Sequence, residues 1–157
     1  MHTIFIADLP EIDILDVDKL SKVFNDFKPE VVVHCVAMTN VDLCEKFQDK
    51  AKLLNEIATI NVAKECYKNN AKLIYISTDY VFSGDKAGEL TENDETFPKT
   101  IYGKTKLAGE YAAIKYCENC IIARVSWLYG SNGPSFLHKM IQLAKENPKR
   151  EIKVVND

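Results

Sequence analysis

A hydroxyl, a phenol and an ammonium can together stabilise and protonate a single carbonyl oxygen. This chain of 157 residues carries them in two short segments, Ser77-Thr78-Asp79-Tyr80-Val81-Phe82 and Tyr102-Gly103-Lys104-Thr105-Lys106. Tyr102 and Lys106 are four apart at the start of a predicted helix, so they share a face. A phenol with an ordinary pKa of about 10 is a slow acid at neutral pH. A neighbouring cation is expected to lower that pKa and bring Tyr102 closer to the operating range of a general acid. Thr78, at the C-terminal end of a predicted central strand, would add a second hydrogen bond to the oxygen as charge develops on it. Ligands of open α/β sheets bind beyond the carboxyl ends of strands, where Thr78 falls. The spacing alone is weakly specific, because Tyr111 and Lys115 repeat it deeper in the same segment. The helix start, the long loop before it and the Thr78 strand end single out the first pair, and the chemistry they suit is ketone reduction.

Five short apolar runs rich in branched residues read as strands: Thr3 to Ala7, Val31 to Val36, Leu73 to Ser77, Cys120 to Val125 and Ile152 to Val155. Such runs suit parallel strands covered on both faces. Helical patterns lie between them at Val17 to Phe27, Val41 to Asn69 with a break near Asn55, Ile101 to Cys117, and Ser135 to Glu146. Pro29, Asn69-Asn70 and Asn147-Pro148 are helix stops. Regular alternation of strand and helix predicts an α/β fold with a doubly wound parallel sheet of the Rossmann type. The longest irregular stretch, Phe82 to Thr100, leads directly to Tyr102, and loops of that length are usually functional. No glycine occurs before Gly84, so the glycine-rich turn that cradles a dinucleotide's pyrophosphate is not found near the start of the chain. The size and the 46% hydrophobic content fit one domain with a real core. Twenty basic and 23 acidic residues spread along the chain give a net charge of -3 and no basic stripe for nucleic acid. Five cysteines at irregular spacing, no secretory leader and no membrane-spanning run predict a reduced, cytoplasmic protein with no membrane partner.

The segments VVHCVAMTNVD (Val32 to Asp42), ISTDYVF (Ile76 to Phe82), PKTIYGKTKLAGE (Pro98 to Glu110) and ARVSWLYG (Ala123 to Gly130) resemble the extended short-chain dehydrogenase/reductases, and within them the dTDP-4-dehydrorhamnose reductase family. The resemblance covers nearly all of the chain. It implies reduction, with NADPH or NADH as cofactor, of the 4-keto group of a nucleotide-linked deoxysugar. By this likeness Tyr102 is the proton donor, Lys106 holds the nicotinamide ribose and tunes Tyr102, and Thr78 binds the sugar carbonyl. Asp8 matches the ribose-binding acid, Asp13 and Ile14 the pair lining the adenine, and Ala37, Met38 and Thr39 the loop under the cofactor. Asp79 and Trp127 match residues contacting the nucleotide sugar, and a Trp face suits a sugar ring. Local sequence alone offers other accounts: turn chemistry around Pro10 for Asp8 and Asp13, and core packing for Trp127.

Three positions depart from the family pattern: Val36 stands where Ala is usual, Met38 where His or Tyr is frequent, and Ser135 where Asn precedes Phe136. The likeness begins at the family's second strand and stops before the C-terminal part that closes over the sugar nucleotide, so residues 1–157 would form a partial NAD(P)-binding domain. In the strand order 3-2-1-4-5-6 the first strand is central. Without it, two strands would keep open edges and the pyrophosphate would lose its backbone donors. The chain alone is therefore expected to be a poor or inactive catalyst that aggregates unless another segment fills the gap, as a second copy in a homo-oligomer would. Other functions open to this pattern are nucleotide-sugar epimerase or dehydratase chemistry, and a non-catalytic role like that of the regulatory β subunit of methionine adenosyltransferase. The strand end STDYVF favours the reductases over the epimerases. Cys117-Glu118-Asn119-Cys120 lacks a second pair for zinc and leaves a helix instead of opening one, so it reads as structural. His34 and His138 also read as structural, and Glu92, Asp94 and Glu95 as a solvated loop.

Overall fold

In the computed structural model, residues 2–130, 135–146 and 151 are described. They fall into two compact units, 1–124 and 125–157. The first unit holds the sheet residues and helices that surround Thr78, Tyr102 and Lys106.

Helix α1 (Val17–Phe27) starts where the Asp16 carboxylate accepts from Lys19 N at 3.1 Å. It ends at Lys28, which takes the left-handed conformation (φ 50°) just before Pro29. Strand β1 (Val31–His34) follows and pairs in parallel with β2 (Lys72–Thr78), Val31 opposite Lys72 and His34 opposite Tyr75. Strand β3 (Cys120–Val125) completes a sheet ordered β1-β2-β3. The segment between β1 and β2 is not one helix. It consists of α2 (Val41–Lys46), α3 (Gln48–Lys52), a π-helical turn (Leu53–Ile57) and α4 (Ala58–Lys68). The helix is interrupted at Phe47, whereas the stretch around Asn55 is widened but unbroken. After β2 comes a single 3-10 turn (Asp79–Val81), then the loop, then α5 (Ile101–Tyr116), whose first turn is capped by Thr100 accepting from Gly103 N at 3.0 Å.

His34 and Tyr75 are register partners and face the same side of the sheet, where His34 Nε2 lies 3.1 Å from Thr59 Oγ1 of α4. Leu20 and Phe24 of α1, Val62 and Cys66 of α4, Leu73 and Tyr75 of β2, and Ala113 of α5 form one buried cluster on that side. Val31, Val33 and Ile121 are exposed, so among the described residues the expected cover on both faces is not found. The run Thr3 to Ala7 is not a strand either, and Ile4, Phe5 and Ile6 are exposed. β-Propensity alone cannot make a strand, which needs a partner for its ladder. The predicted strand Ile152 to Val155 and the stop at Asn147-Pro148 lie outside the described residues. Among the described residues no helix is long and apolar enough to cross a membrane.

Candidate active site

Two glycines let α5 approach the strand end closely. A Cβ on Gly103 would lie 2.2 Å from Tyr80 O, and one on Gly109 would lie 2.2 Å from Tyr75 Oη and 2.4 Å from Asn55 O. Helix α5 therefore lies directly against the 3-10 turn at one end and against Tyr75 two turns later. This brings the Tyr102 phenol close enough to the Thr78 hydroxyl for the two to interact. The Thr78 hydroxyl also donates to Asp79 Oδ1 at 3.0 Å and accepts from Tyr80 N at 3.2 Å. The ring of Tyr102 meets that of Tyr80 edge-on, 5.5 Å between centroids.

Burial raises the Tyr102 pKa above its ordinary value, the hydrogen bond with Thr78 opposes this, and Asp79, Cys44 and Tyr80 add to the rise. The direction is thus opposite to that expected from a neighbouring ammonium, because Lys106 is engaged elsewhere. Its Nζ donates to Ile76 O at 2.6 Å and stands 4.0 Å from the centroid of the Tyr75 ring. Burial lowers the Lys106 pKa to about 8, with Glu110 and then Cys35 acting in the opposite direction. An ammonium has three donors and no acceptor. Ile76 takes one of them, which leaves donors suited to the hydroxyls of a ribose.

The residues matched to cofactor binding sit in two places. Asp8 is exposed and its Oδ1 accepts from Leu9 N at 2.8 Å, while Asp13 Oδ1 accepts from Leu15 N at 2.9 Å. Both carboxylates thus make turn hydrogen bonds, and a carboxylate retains further acceptor capacity for a diol. Ile14 is buried in the core with Leu20 and Phe24, and its carbonyl accepts from Asn61 Nδ2 at 3.2 Å. Ala37, Met38 and Thr39 form the loop after β1, and a residue the sequence did not single out holds that loop. Asn55 Oδ1 accepts from Met38 N at 2.7 Å, and its Nδ2 donates to Met38 O at 3.2 Å and to Thr105 Oγ1 at 3.0 Å. Fully buried in the π-helical turn, Asn55 ties the loop after β1 to the helix that carries Tyr102 and Lys106. The widened turn was the only local signal of it.

In the second unit, Trp127 has φ 51°, a conformation costly for a bulky side chain, and its exposed indole meets the Phe136 ring edge-on at 5.1 Å. Ser135 Oγ accepts from His138 N at 3.3 Å at the start of α6 (Phe136–Glu146). Burial holds the His34 pKa down at about 4, with Lys106 adding to the effect. Burial pushes the Cys66 thiol up to about 12 and the Cys120 thiol up to about 11, and Cys117 is raised as well. Asp94 is paired with Lys86, and among the described residues no His, Cys, Asp and Glu group is arranged to hold a metal.

The family described as RmlD substrate binding domain matches residues 2–157. The Bacillus subtilis spore coat polysaccharide biosynthesis protein SpsK is 42% identical over 134 residues, 85% of this chain and 47% of that protein. The dTDP-4-dehydrorhamnose reductase of Escherichia coli K12 is 37% identical over 145 residues, 92% of this chain and 48% of its own length. Among solved structures, a dTDP-4-dehydrorhamnose reductase from Clostridium acetobutylicum superposes with a TM-score of 0.86 at 42% identity, covering 89% of this chain and 50% of that one. One from Bacillus anthracis in complex with NADP gives a TM-score of 0.86 at 40% identity, over 88% of this chain and 50% of its own. The chain thus spans about half the length of the relatives it matches.

Proposed function

Because the chain belongs to the RmlD substrate-binding-domain family, we propose that it carries the proton-donating part of an NAD(P)H-dependent reductase acting on the 4-keto group of a dTDP-linked deoxysugar, converting dTDP-4-dehydrorhamnose to dTDP-L-rhamnose. The observation that carries the reading is the closeness of the Thr78 and Tyr102 hydroxyls at the carboxyl end of β2, where Gly103 lets α5 meet the strand end, with the buried ammonium of Lys106 one helical turn further along α5.

The sugar carbonyl oxygen binds at the Thr78 and Tyr102 hydroxyls. NAD(P)H, when bound, supplies the hydride. Tyr102 starts this step protonated, because its pKa is raised, not lowered. The alkoxide developing on the sugar is a far stronger base than a phenolate, so the proton moves from the Tyr102 hydroxyl to the sugar oxygen as negative charge builds there. The Thr78 hydroxyl, turning its single proton from Asp79 to the same oxygen, would stabilise that charge before the Tyr102 proton arrives. Lys106, with a pKa of about 8, is mostly an ammonium at neutral pH. It would hold the ribose hydroxyls with the donors that Ile76 leaves free. Asp8 would hold the second ribose, Asp13 and Ile14 would line the adenine, the Ala37-Met38-Thr39 loop would pass beneath the cofactor, and Asp79 and Trp127 would contact the nucleotide sugar. The 157 residues would then be a partial NAD(P)-binding domain.

The test begins with an NADPH fluorescence titration of the chain beside its Lys106→Ala variant. Saturable binding that weakens in the variant is the expected result. Incubation with the 4-keto sugar nucleotide should then give a reduced sugar with loss of NADPH, and Tyr102→Phe should slow it by about 100-fold or more. Failure of a folded chain to bind NADPH, equal affinity in Lys106→Ala, or an epimerised product without NADPH consumption would overturn the reading.

A further inference from the structure

Tyr102, Lys106 and Glu110 recur every four residues along the buried face of α5, and each meets a different residue at the end of β2. Lys106 Nζ donates to Ile76 O at 2.6 Å, Ser77 Oγ donates to Glu110 Oε1 at 2.5 Å, and the Tyr102 phenol lies close to the Thr78 hydroxyl. The Glu110 rung differs from the others in being clamped from behind. Arg124 of β3 donates from Nε to Glu110 Oε1 at 2.9 Å and from Nη2 to Oε2 at 2.7 Å, while its guanidinium stands 5.0 Å from the centroid of the Phe82 ring, just past the strand end. Glu110 is buried. A buried ion pair of this kind is a weak source of stability, because desolvation offsets most of the Coulomb gain, and its best-attested use is to specify one arrangement.

We propose that Glu110 is a positioning residue of the candidate active site: clamped by Arg124, it fixes the end of β2 through Ser77 and sets the charge environment of Lys106, an assignment that rests on the reductase reading above. The groups facing Lys106 are Glu110 on α5, Tyr75 on β2, and His34 and Cys35 at the end of β1, with Arg124 of β3 behind Glu110. Among them Glu110 contributes most toward keeping the ammonium charged against burial. The Arg124 charge is committed in two hydrogen bonds to the same carboxylate. Removing the carboxylate while keeping the side chain's shape therefore lowers the Lys106 pKa, whereas a purely structural role would change stability and leave that titration where it is.

The experiment follows the Lys106 side chain by NMR of the 13C-lysine-labelled chain across pH, its resonance assigned by its loss in Lys106→Arg. The expected result is a midpoint near pH 8 in the parent chain, where burial places the Lys106 ammonium at about 8, and a shift to lower pH in Glu110→Gln. If the unpaired Arg124 keeps Glu110→Gln from folding, the double variant Glu110→Gln/Arg124→Met removes that stranded guanidinium as well and should show a smaller downward shift, because the more distant Arg124 cation goes with the carboxylate. An unmoved midpoint in whichever of these folds would overturn the proposal, as would an upward one. NADPH titrations across the same pH range form the second arm, in which the alkaline loss of affinity should move to lower pH in step with the midpoint. A parent chain that binds no NADPH would sink the reductase reading alone, since the Lys106 titration still decides the role of Glu110.

Discussion

Asn55→Ala removes three hydrogen bonds at once, to Met38 N (2.7 Å), Met38 O (3.2 Å) and Thr105 Oγ1 (3.0 Å). A net contribution of about 0.5–1.5 kcal/mol for each bond gives roughly 1.5–4.5 kcal/mol in total. The Met38 end is only part-buried, and water can replace some of what is lost there. The expected destabilisation is therefore about 2–4 kcal/mol, a large share of the roughly 5–15 kcal/mol that holds an ordinary domain together. Urea unfolding measures the loss, and hydrogen exchange at the Met38 amide shows where it falls, because that amide should lose its protection specifically. Asn55→Asp sharpens the test. The carboxylate still accepts from Met38 N but puts an oxygen where the amide faced the Met38 carbonyl, so it should be at least as damaging as alanine. A loss below about 0.5 kcal/mol in Asn55→Ala with unchanged Met38 exchange, or a benign Asn55→Asp, would refute this account of the loop after β1.

Gly109→Ala places a methyl 2.2 Å from Tyr75 Oη, 2.4 Å from Asn55 O and 2.9 Å from Tyr75 Cζ; overpacking should cost about 1–3 kcal/mol by urea unfolding, and Tyr75→Phe in the same chain should recover part of it by removing the nearest of these three contacts. Burial holds the His34 pKa at about 4, below the ordinary 6.5, so the unfolded chain binds a proton that the folded one does not between those values. Stability from this residue is complete above about pH 6.5 and falls as pH drops toward about 4, by on the order of 3 kcal/mol; unfolding of His34→Gln at both pH values should show a correspondingly weaker acid dependence. Cys35 is exposed, whereas Cys66 and Cys117 are buried with raised thiol pKa values. A thiol reagent at neutral pH should accordingly modify Cys35 first in the folded chain, and equal rates at all three would contradict their placement.

Where a segment's structure is decided by its own residues, the sequence could be read. Helix α1 runs over Val17–Phe27 as its period predicts, because Asp16 caps it and Pro29 ends it. Strand β3 keeps its predicted bounds for the same kind of local reason, an apolar branched run entered from a helix stop. Thr3 to Ala7 has an equally good strand composition, yet it carries no ladder, since pairing depends on what lies alongside. The segment from Val41 to Asn69 shows another limit. No Gly or Pro interrupts it, so the break at Phe47 has no local signature.

The candidate site divides along the same line. Tyr102, Lys106 and Thr78 could be picked out because residue type and helix spacing are local, but the partners that decide their behaviour are distant in sequence. Lys106 meets Ile76 across 30 positions, Asn55 reaches Thr105 across 50, and Glu110 meets Ser77 across 33. That is why the direction of the Tyr102 shift could not be read from its neighbour four residues on: the ammonium is drawn to a strand carbonyl, and burial then dominates the phenol. Gly109 marks the one place where local sequence carried a hint of this. Glycine inside a helix costs about 1 kcal/mol relative to alanine, and the residue that bears this cost in α5 is the one over which Tyr75 Oη and Asn55 O must pass. Helix α5 gives up propensity at Gly109, as it does at Gly103 in its first turn, for close approach, and this approach sets the distance between α5 and β2 that brings the Tyr102 phenol near Thr78.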